Sequence, residues 1–207
     1  MQDLKPLSAP GREKAKPPKQ HVLTAYVEDL PGVLNRVTSL FSRRGYNISS
    51  LTVGRTDQPG VSRMTIVVEA DDAAARLVEA NLYKLVNVLR VEDVTDEPVV
   101  VRDLVLIKVK ADAQSRPQIL QLCEIFRARV VDIAPASLII ESTGTEDKLA
   151  GLVEVLTPFG ITELVRTGSV AMTRGAEPLT ANPHFINAQV PEESGAAVNG
   201  QSAHADE

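Results

Sequence analysis

The sequence predicts an α+β protein of two ferredoxin-like sandwiches in series, each with the order β-α-β-β-α-β. Three observations predict it. Runs of β-forming residues and runs with apolar residues at helical spacing occur in the same order twice. A local phrase recurs, Leu40-Phe41 … Asn47-Ile48 against Ile125-Phe126 … Asp132-Ile133, with one interval between its halves in both copies. The 207 residues, 43% of them apolar, suffice for two small domains. Each unit would be a four-stranded antiparallel sheet with both helices on one face. The other face needs cover, so chain pairing or domain packing is expected, and exposed edge strands point the same way. Aromatic content of only 3%, with no tryptophan, implies aliphatic cores.

Residues 1–20 read as a disordered tail: four prolines stand among five basic and two acidic residues, with little to bury. His21–Glu28 alternates and is a strand. The turn Asp29-Leu30-Pro31-Gly32 follows, with proline pre-set for a helix start. Val33, Val37, Leu40 and Phe41 then mark one helical face, and Gly45 ends the helix as a left-handed cap. Asp57-Gln58-Pro59-Gly60 turns Tyr46–Thr56 into Val61–Ala70 as a hairpin. Asp71 or Asp72 caps a second helix to about Leu85, with Ala74, Leu77, Val78, Asn81 or Leu82, and Leu85 inward. Asn87–Val94 closes the unit as its fourth strand.

Asp96-Glu97-Pro98 breaks the pattern, and the order begins again. Val100–Lys110 is a strand. Ser115–Phe126 is a helix with Pro117 in its first turn and Ile119, Leu122, Cys123 and Phe126 inward. Arg129–Ala134 and Ser137–Ser142 are strands around Pro135. Thr145–Leu156 is a helix with a capping pattern at Thr145–Lys148, and Ile161–Thr173 is the last strand. From Gly175 onward five acids and no Lys or Arg read as a disordered tail. The domains are therefore 21–95 and 103–174, joined by a linker over 96–102 and flanked by tails over 1–20 and 175–207.

Several classes of function are disfavoured. A net charge of −5 gives no reason to expect a nucleic-acid or acidic-membrane surface. RNA-recognition domains share the βαββαβ order but stack bases on central-strand aromatics, and Val61–Ala70 has none. A lone cysteine, no bilayer-length apolar run and no secretory segment fit a cytoplasmic protein. Cys123 sits on an apolar helix face and reads as core. His21, His184 and His204 are isolated, and Glu141, Glu146 and Asp147 have no metal-ligand spacing. No convergent acid, base and nucleophile can be assembled, so a stand-alone enzyme is not supported. Arg36, Arg43 and Arg44 form a basic helix edge, either a solvated face or a surface for a partner's carboxylates.

One constellation remains. The N–H groups of Gly32, Val33 and Leu34 lie at a helix N-terminus, where a carboxylate is favoured. Gly32 admits close backbone approach. Asp29 and the Asn47 side chain could accept from an ammonium, and Ile48 could supply an apolar wall. The turn and Asn47 are expected to approach across one sheet edge, making an anion site beside an ammonium site, as a free α-amino acid requires. A plain helix cap and turn is the other reading.

D-L-P-G-V-L, then R-R-G-Y-N-I-S-S-L-T-V-G, S-R-M-T-I and L-V-N-V-L-R-V resemble the ACT domain of acetolactate synthase (acetohydroxyacid synthase) regulatory small subunits. The second unit resembles that family's C-terminal domain, through E-I-F-R-A-R-V-V-D-I and R-T-G-S-V-A-M-T-R-G. The resemblance spans about Val22 to Gly175. It implies a non-catalytic chain that activates a large catalytic subunit and confers feedback inhibition by valine, often also by leucine or isoleucine. Valine would sit between two ACT domains of a homodimer, at positions matching Asp29, Gly32, Val33, Leu34, Asn47 and Ile48. No cofactor is implied in this chain; thiamine diphosphate, magnesium and FAD are implied on the catalytic partner. Some members carry Asn where this chain has Asp29, which adds negative charge beside the ammonium position. A free-standing amino-acid sensor for a different enzyme is the alternative.

Overall fold

The computed structural model describes residues 18–176, so the expected tails, with His184 and His204, fall almost wholly outside it. The first unit comprises β1 (Lys19–Glu28), α1 (Val33–Arg44), β2 (Ile48–Arg55), β3 (Val61–Ala70), α2 (Asp72–Leu82) and β4 (Val88–Asp93). The second comprises β5 (Val99–Lys110), α3 (Arg116–Phe126), β6 (Arg129–Ala134), β7 (Ser137–Gly144), α4 (Glu146–Leu156), β8 (Ile161–Arg166) and β9 (Val170–Thr173). The sheets are antiparallel, with strand orders β2-β3-β1-β4 and β6-β7-β5-β8. The repeated sequence phrase falls at the end of a helix and in the next strand in both units.

Local chemistry sets most boundaries. Gly32 and Gly45 flank α1 with φ of 87° and 71°, values that residues with a Cβ adopt at a cost. Asp71 caps α2 by accepting the Ala74 N–H at 2.7 Å. Two helix expectations need correction. Leu77 is exposed; the inner stripe is Ala75, Val78, Asn81 and Leu82. Ala74 and Leu85 pack against the core and Val78, Asn81 and Leu82 are buried as expected, so of that set Leu77 alone faces outward. Thr145 takes the N-cap position of α4 without a side-chain cap bond, whereas Lys148 Nζ donates to the Thr143 carbonyl at 2.8 Å.

Both cores are largely aliphatic. Leu23, Ala25, Val37, Ile66, Val78 and Leu82 pack with Phe41 in the first, and Ile107, Ile119, Leu138, Ile140, Leu149 and Leu152 in the second. Cys123 is buried there, and burial pushes its thiol pKa up, as an inert core thiol requires.

The strand expected over Ile161–Thr173 is interrupted. Arg166 pairs with Val105 and Val170 with Arg102, so Thr167-Gly168-Ser169 stand opposite the two residues Asp103-Leu104. This is a β-bulge of one extra residue. The Thr167 N–H donates to the Leu104 carbonyl at 2.9 Å, and the Leu104 N–H donates to Thr167 Oγ1 at 3.0 Å. Residues 99–102, within the stretch expected as linker, pair with β9 instead of running free.

The bulge also joins the units. Ser50 and Thr52 alternate with the core-facing Leu51 and so lie on the helix-free face of the first sheet. Ser169 N–H donates to Ser50 Oγ at 2.8 Å. A Cβ on Gly168 would lie 2.5 Å from Thr52 Oγ1 and 2.7 Å from Ser50 Oγ. Part of the cover that this sheet face needs therefore comes from the second unit.

Candidate functional site

The Asp29–Gly32 turn ends β1 and launches α1. The Asp29 N–H is tied to the Gly60 carbonyl at 2.8 Å, anchoring the turn beside the β2–β3 hairpin. Left-handed Gly32 swings the chain into the helix, and its carbonyl accepts the Arg36 N–H at 3.0 Å. The helix N-terminus carries no acidic residue in its first turn and no side-chain cap. The N–H groups of Gly32, Leu34 and Asn35 have no hydrogen-bond partner among the described residues. Val33 differs from the expectation: its N–H turns back to the Leu30 carbonyl at 3.3 Å, and its side chain is core. The site thus offers the main-chain donors of Gly32 and Leu34, with Asn35 as a third that the sequence reading missed. Nothing lies within 4 Å of the position a Gly32 Cβ would take, so the approach is open.

Asp29 is exposed, and its Oδ2 accepts from Arg55 Nε at 3.1 Å. Arg55, at the end of β2, balances the charge that Asp brings in place of Asn. It could not have been paired with Asp29 from sequence, because the contact depends on β2 and β1 lying parallel at either side of β3.

Asn47 and Ile48 do not join this turn within one chain. Ile48 pairs with Val68 on β3, whereas Asp29 bonds to Gly60 at the other end of the same strand. Eight residues of strand separate those levels, roughly 26 Å. The expected approach across a sheet edge is corrected for the single chain: α1 runs the length of the sheet and delivers Asn47 to the far end. β2 is nevertheless the outer strand of its sheet. An edge strand leaves backbone N–H and C=O groups open to pairing with a further strand.

A family model described as the small subunit of acetolactate synthase matches residues 102–175, and one described as the AHAS small subunit-like ACT domain matches residues 23–90. An acetolactate synthase small subunit of Mycobacterium bovis is 51% identical over 158 residues, covering 76% of this chain and 94% of the relative. The chain belongs to the acetolactate synthase small-subunit family. A probable small subunit of Archaeoglobus fulgidus is 49% identical over 156 residues, covering 75% of this chain and 98% of its own length. The crystal structure of the Thermotoga maritima small subunit superposes with a TM-score of 0.72 at 40% identity, over 77% of this chain and 99% of that one. Both ACT-type units are therefore family features.

The other candidates take structural roles. His21 is not isolated. It is buried, with Nδ1 2.7 Å from Asp93 Oδ2 and Nε2 3.7 Å from Asp72 Oδ1. Lys19 reaches Asp72 and Asp96 at 3.2 and 3.1 Å, and those hydrogen bonds push its pKa up. Together these groups tie β1 to α2 and to the segment after β4. Among the described residues no group of three or more His, Cys, Asp or Glu could hold a metal, and no helix is long and apolar enough to cross a membrane.

Between the units lies a cleft of about 720 Å³. Asp103, buried on β5, receives Arg166 Nε at 2.9 Å and Nη2 at 2.6 Å, and Arg166 Nη1 lies 3.6 Å from Glu146 of α4. This pair braces the wall from which the bulge reaches the first unit.

Proposed function

We propose that this chain activates the catalytic large subunit of acetolactate synthase and makes it sensitive to valine. The valine carboxylate is held by the Gly32 and Leu34 N–H groups of one chain. Its ammonium lies between Asp29 and the Asn47 amide of a second chain, with Ile48 of that chain and Leu34 against the side chain. Val33 supports the turn from below. The observation that carries this reading is the uncapped, glycine-opened N-terminus of α1, whose Gly32 and Leu34 N–H groups have no partner among the described residues, with the Asp29 carboxylate in the same turn. Two such sites arise per two-fold dimer. In this reading residues 21–95 sense the effector and residues 103–174 carry the response toward the catalytic subunit. Thiamine diphosphate, magnesium and FAD belong to that subunit, in the cytoplasm.

Valine acts by favouring one packing of the two ACT units over another, which requires a coupling of only about 1–3 kcal/mol. A free-standing sensor would need the first unit alone, and the family match of the second weighs against it. The test is acetolactate formation by the catalytic subunit, with and without this chain, across a valine titration. Stimulation by the chain, with inhibition only when chain and valine are both present, supports the proposal; no effect on rate overturns it. Gly32→Asp places a competing carboxylate where the effector's would bind. It is expected to abolish valine inhibition while preserving stimulation, and full inhibition in that variant contradicts the site.

A further inference from the structure

The second sheet carries an apolar face that its own helices and the first unit leave open. On β5 the core residues Val105, Ile107 and Val109 alternate with Leu104, Leu106 and Lys108, which therefore point away from α3 and α4. Directly opposed residues of paired strands share a face. Val165 stands opposite Leu106, Ile139 opposite Lys108, and Val170 and Met172 opposite Arg102 and Val100. The face thus runs from Ile139 and Leu106 through Val165 and Leu104 to Val170 and Met172. Leu106, Val165, Val170 and Met172 are all exposed, Met172 at 65%. Single exposed apolar residues need no explanation, but a contiguous patch marks an interaction surface.

The chain itself supplies a matching segment. The described residues end at Ala176, three residues past β9, so residues 177–207 leave from the Met172 end of this face. They lie beyond the family match, which ends at residue 175. Their densest apolar stretch is residues 185–190, with Phe185, Ile186, Ala188 and Val190, and Glu192 and Glu193 follow directly after Pro191. Phe185 lies nine residues beyond Ala176, a reach of at most roughly 30 Å. Leu106 lies six residues along β5 from Val100, the partner of Met172, which is roughly 20 Å. The segment can therefore span the face. Charge matches as well. Arg102 and Arg174 are exposed at the β9 end of the face, and neither has a carboxylate partner among the described residues. From Gly175 onward the sequence has five acids and no Lys or Arg. Two copies of the face packed together would bring like charges together, so charge favours the acidic segment over a second copy.

We propose that residues 185–190 fold back onto this face and cover it, with Glu192 and Glu193 beside Arg102 and Arg174. The apolar side chains of the segment then pack on Leu106, Val165, Val170 and Met172. The segment has too little apolar surface to fold alone, and the face supplies what it lacks. Tethering makes the contact intramolecular, so a modest interaction suffices to hold it closed. The result is a removable cover on the second unit. It is distinct from the Gly32 turn, so the inference does not depend on valine sensing.

The chain has no tryptophan, so Phe185→Trp places a lone fluorescent reporter in the segment. The test is the emission wavelength of the full chain and its quenching by acrylamide. Blue-shifted emission, with quenching severalfold weaker than for the same chain in urea, is expected. Met172→Asp and Leu106→Asp, each at an exposed position, should red-shift the emission and restore strong quenching while circular dichroism shows the chain folded. Arg102→Glu should weaken the shielding, and so should moderate salt, because exposed charges are screened. Emission as red and as quenchable as in urea overturns the proposal, as does shielding that neither Met172→Asp nor Leu106→Asp relieves. Shielding that grows with chain concentration places the segment on a second copy, and shielding seen only with the catalytic subunit places it on that partner. Either result overturns the intramolecular contact.

Discussion

Replacing Gly168 by alanine tests whether the two units act as one body. The added Cβ would sit 2.5 Å from Thr52 Oγ1, 2.7 Å from Ser50 Oγ and 3.0 Å from the Leu51 carbonyl oxygen, where ordinary contact begins at 3.4 Å. The worst overlap is therefore 3.4 − 2.5 = 0.9 Å, and one of the three atoms is backbone in a paired strand. Gly168 does not have positive φ, so the penalty is steric alone. Relief requires the bulge to lift away from β2, which stretches the 2.8 Å bond from Ser169 N–H to Ser50 Oγ. Overpacking of this kind costs about 1–3 kcal/mol. For a chain of this size that lowers the melting temperature by ~2–4 °C per kcal/mol. The energy is comparable with the coupling proposed for valine, so under that proposal inhibition should weaken severalfold while the chain stays folded. The assays are thermal unfolding and valine inhibition of the reconstituted enzyme. Adding Thr52→Ala removes the nearest obstacle, an Oγ1 with no hydrogen-bond partner among the described residues, and should restore part of both properties. Gly168→Ala with unchanged stability and unchanged valine response would refute a seam that transmits the signal.

Two further perturbations follow from the charges. Arg166→Gln leaves the buried Asp103 carboxylate without its two guanidinium bonds and should lower stability by about 1–3 kcal/mol, read from urea unfolding. Glu79 has its pKa raised, chiefly by burial and secondarily by Asp93. A carboxyl whose folded pKa exceeds its unfolded value weakens the fold once ionised, and the penalty grows as pH rises from the unfolded pKa through the folded one. Glu79→Gln should therefore raise the melting temperature at pH 7 and change it little below pH 4. A gain that persists in acid would assign the effect to packing.

The sequence pattern was most informative where one chain segment decides its own fate. Gly45 as a left-handed cap, Asp71 as a side-chain cap, the hairpin at Asp57–Gly60 and the strand Val61–Ala70 all follow from local chemistry. The exposure of Leu77 did not, because the alanines at 73–75 blur the edge of the apolar stripe of α2 and only packing sets it. The bulge at Gly168 was hidden within an unbroken strand-like run, since the constraint on it comes from Ser50 and Thr52, more than a hundred residues away. His21 looked isolated because Asp72 and Asp93 reach it through sheet register. The uncapped, glycine-led start of α1 was legible from its residue types, whereas the distance to Asn47 depends on strand direction. In the proposed site, that direction makes the turn and Asn47 come from two different chains.

The most direct measurement exploits this division. Gly32→Asp damages the turn half, Asn47→Ala damages the other half, and each homodimer should lose valine inhibition. Unfolded together and refolded as a mixture, the two variants form mixed dimers in which the intact turn of one chain meets the intact Asn47 of the other. Recovered valine inhibition in the mixture, absent from either variant alone, is the predicted result. Inhibition that stays lost in mixed dimers verified by mass spectrometry would contradict a site shared between two chains.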